Sequence, residues 1–220
     1  MKIRSSFGLA MLVSAVLAGC ASSPVQYYTL QPSADPRTMV VEDSAASSPK
    51  PGGPRYAISV QHVSLPEQVD RPQIVVSDPD SAQVVPLNSA LWASPLADQI
   101  RRSLAEDLSR RLGVLDIPSS SAPDGLGVWK VIVRVQRFES IYGRHAGLDA
   151  TWEIVPSNLA GGKPVICRAE TRVPVAQGMS AMVTGHREAL RRLASLIASQ
   201  LPTGAAPAPA ANVVLKGCTR

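Results

Sequence analysis

Aromatic residues are scarce in this chain: 220 residues hold two Phe, three Trp and four Tyr. That leaves no stacking platform for nucleobases or sugar rings. Charge of one sign is not massed either. The formal net charge is +5, and the arginines alternate with acids. Such interleaving belongs to solvated helix faces, so nucleic acid is not expected as a partner. The three histidines, His62, His145 and His186, share no ligand spacing with one another or with cysteine, and no metal is expected. On a helix face, His186 reads as a histidine at the edge of the core.

Glu67, Asp70, Asp78 and Asp80 gather near a turn without the order of a calcium loop. Gly178-Met179-Ser180-Ala181-Met182 lacks the last glycine of a nucleophile elbow. Gly125-Leu126-Gly127 precedes a strand, the wrong order for a phosphate cradle. No acid–base or nucleophilic constellation can be assembled. The expectation is a protein that is not an enzyme and carries no cofactor. After residue 19 no apolar run is long enough to cross a membrane as a helix.

The N-terminus does carry a pattern. Lys2 and Arg4 start it, residues 7–16 are mostly apolar, and Leu17-Ala18-Gly19-Cys20 closes it. A charged start, a short apolar stretch and small residues make a secretory signal over residues 1–19. The cysteine makes the signal resemble a bacterial lipobox. There the thiol takes a diacylglycerol, cleavage falls before Cys20, and the new amine is acylated, as with palmitate. More than one chain is a stable anchor, at about 0.8 kcal/mol per buried CH₂. An ordinary signal with a chance cysteine is the plainer alternative. Loss of Lys2 and Arg4 would leave a mature charge of +3 (5 − 2). Ala21 and Ser22 follow, without an Asp in second place. In Gram-negative lipoproteins that favours the outer membrane, facing the periplasm.

Residues 20–26 read as lipidated terminus and tether, and 27–202 as one domain interrupted by a flexible insertion at 31–54. Tyr27-Tyr28-Thr29-Leu30 has strand composition. Residues 56–62 alternate as a half-buried strand, and 74–76 with 83–87 read as a hairpin. Residues 88–113 read as the first helix, with Ser94 as cap and Pro95 in the first turn. Leu96, Ile100, Leu104, Leu108 and Leu112 form its stripe, and Asp98–Arg102, Glu106–Arg110 and Asp107–Arg111 are spaced as i,i+4 pairs. Residues 114–117 suit a short strand.

Three alternating strands follow around Val131, Trp152 and Ala169. Phe138 is out of phase with Val131, Val133 and Val135, which marks a bulge near Gln136 or a change of face. Residues 178–201 read as the second helix, with Met182, His186, Ala189, Leu193 and Ile197 along one face. Residues 203–220 are an Ala/Pro-rich tail. The fold expected is α+β, a two-layer sandwich with two long helices on one face of a mostly antiparallel sheet.

Lipidation of Cys20 would leave Cys167 and Cys218, an even pair in an oxidising compartment. A disulfide between them would close a loop of 51 residues (218 − 167). It would also give Val213 and Leu215 a surface to cover. Cys167, on a face with Val165, Ala169 and Val173, equally suits a buried small hydrophobe.

Several pieces in order resemble the PqiC-like lipoproteins, the auxiliary lipoprotein component of ABC-type transport systems. They are the lipobox at Cys20, Tyr27-Tyr28-Thr29-Leu30, the strand from Tyr56 to Val63 with Leu65 and Pro66, and Asp70-Arg71-Pro72-Gln73-Ile74-Val75. Trp92 with Pro95-Leu96, the strand from Leu148 to Trp152 and the last helix complete the match. The resemblance implies a non-enzymatic outer-membrane protein facing the periplasm. Its implied partner is an inner-membrane-anchored MCE-domain protein, in a system that moves lipid between membranes and supports envelope integrity. Self-association stays open. A generic outer-membrane assembly lipoprotein and a lipid carrier with its own apolar pocket are the other readings.

Overall fold

The computed structural model describes residues 24–31, 56–159, 161–202, 204, 206 and 212–219. The signal and Cys20, and all of the insertion at 31–54 except Gln31, lie outside them. Among the described residues, eight strands and two α-helices follow one another as β1 (Gln26–Tyr28), β2 (Tyr56–Val60), β3 (Gln73–Asp78), β4 (Gln83–Trp92), α1 (Leu96–Leu112), β5 (Gly127–Ile141), β6 (His145–Ser157), β7 (Val165–Pro174), α2 (Met179–Ala198) and β8 (Val213–Thr219).

The strands form two mixed sheets rather than the single sheet expected. The larger has the order β2-β5-β6-β7-β8, and the smaller has the order β1-β4-β3. Strands β5, β6 and β7 are the antiparallel meander, while β2 runs parallel to β5. Register slips between Val135 and Arg137. Gln136 is therefore the bulge, and it moves the buried set from Val131, Val133 and Val135 to Phe138 and Ser140.

Helix α2 packs on β6 and β7, and α1 packs on α2 and β2. The α1 stripe Leu96, Ile100, Leu104, Leu108 and Leu112 is buried along its length. Burying the stripe against sheet and neighbour is what holds a helix of this length, because propensity alone is marginal. Gly113 closes α1 at φ 67°, a left-handed conformation that costs glycine nothing.

Four expectations need correction. Residues 88–92 are strand, not helix, since β4 continues to Trp92 and pairs with both β1 and β3. Ser94 makes no side-chain cap, and Pro95 is the residue before the helix rather than in its first turn. Strand β2 is buried on both faces, not half-buried; its edges are flanked by β5 and by residues 114–117, where Ile58 N–H donates to the Leu115 carbonyl and Ile117 N–H to that of Ile58. Finally, residues 213–219 are not a free tail but the fifth strand of the larger sheet.

Of the i,i+4 pairs, Glu106–Arg110 is formed at 3.3 Å, and Asp107 turns instead to Arg110. Asp107 sits on the buried flank of α1, and that burial pushes its carboxyl up against the pull of Arg110.

Candidate functional site

The chain enters the domain through a strap that is locked at several points. Gln26, Tyr27 and Tyr28 pair in parallel with Ala90, Leu91 and Trp92. Leu30 is fully buried in the main core. Its N–H donates to Gln99 Oε1 at 2.7 Å, and Gln99 Nε2 donates to the Ser94 carbonyl at 2.8 Å. Arg187 Nη2 donates to the carbonyls of Thr29 at 2.9 Å and Gln31 at 2.8 Å. Thus both helices hold the strap, α1 through Gln99 and α2 through Arg187. The periodicity read along the two helices singled out neither Gln99 nor Arg187. A glutamine beside a leucine stripe was the only trace, and its partner lies 69 residues away.

At the other end of the chain, Cys167 and Cys218 are joined as a disulfide, with S–S 2.00 Å and Cα atoms 4.1 Å apart. The bond fastens β8 to β7. Beside it, Glu170 accepts from Arg172 Nη2 at 2.9 Å and Lys216 Nζ at 3.0 Å. Lys216 and Arg172 hold its carboxyl below the usual range. Asp149 takes both a 2.9 Å and a 2.7 Å hydrogen bond from Arg168, whose guanidinium lowers its pKa. These pairs cover the sheet face turned away from the core.

The three histidines do not converge. His62 is exposed, and His145 Nε2 lies 3.4 Å from Glu139 Oε2. His186 is buried, stacked on Phe138 at 3.9 Å, with Nε2 2.8 Å from Ser140 Oγ and no partner on Nδ1. Burial, helped by His145, drives its pKa down to about 3, so the ring is neutral. A serine next to a histidine invites a nucleophile reading. Both are buried, however, and the outer ring nitrogen has no orienting acceptor. Ser180 lies exposed in the first turn of α2. Among the described residues no group of His, Cys, Asp or Glu could hold a metal ion.

Clefts open at several places on the described surface. One of about 490 Å³ is lined by Ser59, Ser119, Ser120, His62 and the Arg101–Asp116 ion pair. One of about 230 Å³ between the helices is walled by Glu106, Asp107, Arg110, Glu188 and Arg191 with Leu30 beside them. A third, about 260 Å³, lies under the β3–β4 hairpin against Arg137 and Glu139. Exposed apolar side chains include Tyr27 on β1, Val84 and Val85 on β4, Leu115 after α1, Tyr142 in the β5–β6 turn, and Val214 and Leu215 on β8.

Over 117 residues the chain is 32% identical to the intermembrane transport lipoprotein PqiC of Escherichia coli (strain K12) and to that of Shigella flexneri. The match takes in 51% of this chain and 57% of those relatives, little more than half their length. A crystal structure of an uncharacterized protein superposes with TM-score 0.60 at 20% identity, covering 80% of this chain and 98% of that one. A crystal structure of a protein from Xanthomonas campestris superposes with TM-score 0.54 at 21% identity, covering 71% and 91%. These two structures speak for the fold alone. Residues 39–198 match the family model described as ABC-type transport auxiliary lipoprotein component, and the chain belongs to that family.

Proposed function

We propose that the protein is an outer-membrane lipoprotein, anchored through lipid on Cys20, facing the periplasm and serving as the docking subunit of an MCE-type intermembrane lipid transport system. It has no catalytic role and no cofactor beyond the covalent lipid. Its partner is the MCE-domain protein anchored in the inner membrane, and envelope integrity depends on the pair. The observation that carries this reading is the strap. The domain grips residues 26–31 through β4, Gln99 and Arg187, and only six positions separate Gln26 from Cys20. A lipid on that cysteine would hold a rigid domain close to the bilayer, as a docking subunit requires.

The family membership and the likeness to a lipoprotein named for intermembrane transport support the same reading. The lipid-carrier alternative asks for an apolar cavity of several hundred Å³. The cleft between the helices exposes mainly aliphatic surface beneath its charged rim but, at about 230 Å³, falls short of that volume, and the cleft of about 490 Å³ is polar, which favours docking.

The test is affinity capture of the lipidated chain from detergent-solubilised envelopes, followed by identification of what comes with it. Recovery of an MCE-domain protein is expected. Recovery of outer-membrane assembly or peptidoglycan machinery without it would favour the generic assembly lipoprotein.

A further inference from the structure

Strands β5 to β8 present one continuous face away from the helices. Arg134, Thr151 and Arg168 lie opposite one another in one row across it, and Arg137, Asp149, Glu170 and Val214 in the next. Residues directly opposite on paired strands share a face. The alternate row of Val133, Trp152 and Cys167 is buried toward α2, which packs on β6 and β7.

Charge on the outer face is layered. Five of its cations, Arg134, Arg137, Arg168, Arg172 and Lys216, are exposed. None of its acids is: Asp149 is buried, and Glu139, Glu153 and Glu170 are half-buried. The side chains of Arg168 and Arg172 are 50% and 55% exposed, against 6% for Asp149 and 20% for Glu170. A partner approaching this sheet therefore meets the cations first.

The recessed acids also hold arginines in place. Asp149 accepts from Nε and Nη2 of Arg168, and Glu170 from Nε and Nη2 of Arg172, which leaves Nη1 of each without a described partner. Arg134 makes no side-chain hydrogen bond or ion pair with any described residue. Fixed guanidinium forks reward carboxylates that are fixed themselves, as on a folded protein. Mobile lipid headgroups gain nothing from such a register. Ile166 and Val214 share the face and are 44% and 51% exposed. Arginines beside exposed apolar side chains are the composition of a protein interface.

We propose that this outer face is the docking surface, and that it receives an acidic patch of the partner protein, with carboxylates on Arg134 and Arg168 above Thr151. The inference rests on the docking role and adds where the partner sits and what charge it carries. Arg134 and Arg168 stand two strand spacings apart, roughly 10 Å between backbones. Their side chains therefore serve neighbouring carboxylates on one partner surface.

The test uses the full lipidated chain in envelopes, with the MCE-domain protein as the partner to be captured. Arg134→Glu reverses an exposed charge that the fold does not use. It should cut recovery of that protein about tenfold. Arg102→Glu, at an exposed position on α1, should leave recovery unchanged. Recovery with the wild type should weaken as salt is raised. A benzophenone side chain in place of Arg134 should crosslink to the MCE-domain protein, and one in place of Arg102 should not. Should Arg134→Glu lower the thermal midpoint, the crosslink decides alone. Full recovery with Arg134→Glu, or a crosslink from position 134 to lipid instead of protein, overturns the docking face and leaves the docking role standing. Failure of the wild type to recover any MCE-domain protein overturns both.

Discussion

Cys218 lies directly opposite Cys167 across the β7–β8 ladder, their Cα atoms 4.1 Å apart. That is close to the ~4.5 Å spacing of a non-hydrogen-bonded antiparallel pair. The bond spans 51 residues, and the loop-entropy estimate for such a closure is about 4 kcal/mol. Cys218→Ser should lower the thermal midpoint markedly. It should also make the last ten residues the first to be cleaved by a protease. Addition of reductant to the wild type should reproduce both effects, and should do nothing to the variant.

The strap gives a second expectation. Gln99→Leu leaves the buried Leu30 N–H without an acceptor, which costs about 1–3 kcal/mol. Arg187→Ala removes two charge-assisted bonds to the Thr29 and Gln31 carbonyls. In hydrogen exchange both variants should speed the Leu30 amide far more than amides at the centre of β6. Uniform acceleration across the domain would mean that the strap is not a separate unit.

Helix α1 supplies a paired test. Leu104 is fully buried on the apolar stripe, and Arg102 is exposed. Leu104→Ala should cost about 2–5 kcal/mol. Arg102→Ala should stay within about 0.5 kcal/mol. Urea denaturation of both variants measures the difference directly, and equal midpoints would contradict the orientation of the helix.

What could be read from the sequence was whatever has a local period. The leucine stripe repeats every four residues, and the β5 to β7 alternation is strict enough that Phe138, one step out of phase, pointed to the bulge at Gln136. The small sheet had no such signature. Strand β1 is three residues long and finds its partner more than sixty positions away. The end of β4, with Asn88, Ser89 and Ala90, carries neither β-branched residues nor a turn before the helix, so it merged with α1. Strand β8 is almost wholly exposed, and its pairing depends on a disulfide and on Glu170 rather than on an apolar face. The strap contacts failed for the same reason: Gln99 and Arg187 act on backbone atoms, which leave no trace in side-chain pattern.

His186 yields a pH prediction with a definite sign. Folded, the ring is neutral, because burial holds its pKa at about 3 against an ordinary 6.5. Unfolded, it takes a proton as pH falls through 6.5. Below that value the unfolded state binds a proton that the native state refuses, so stability drops as pH falls, by about 1.4 kcal/mol per unit at the steepest. The window runs from 6.5 down to about 3. The paired carboxylates Asp149, Glu170 and Glu188 act lower, since each sits below its ordinary value of 3.8 or 4.5. Their contribution is present above those values and is lost only as pH falls through the depressed ones. Between pH 6.5 and 5 the histidine is therefore separable from them. His186→Leu removes the titration but leaves Ser140 buried without its partner, at a cost of about 1–3 kcal/mol. Wild type should be the more stable at pH 7, and its advantage should shrink steadily toward pH 5. Urea denaturation of the two proteins across that range measures the gap. A gap that stays constant would mean that the ring is already accessible to protons in the native state, and that the stacking on Phe138 does not exclude solvent.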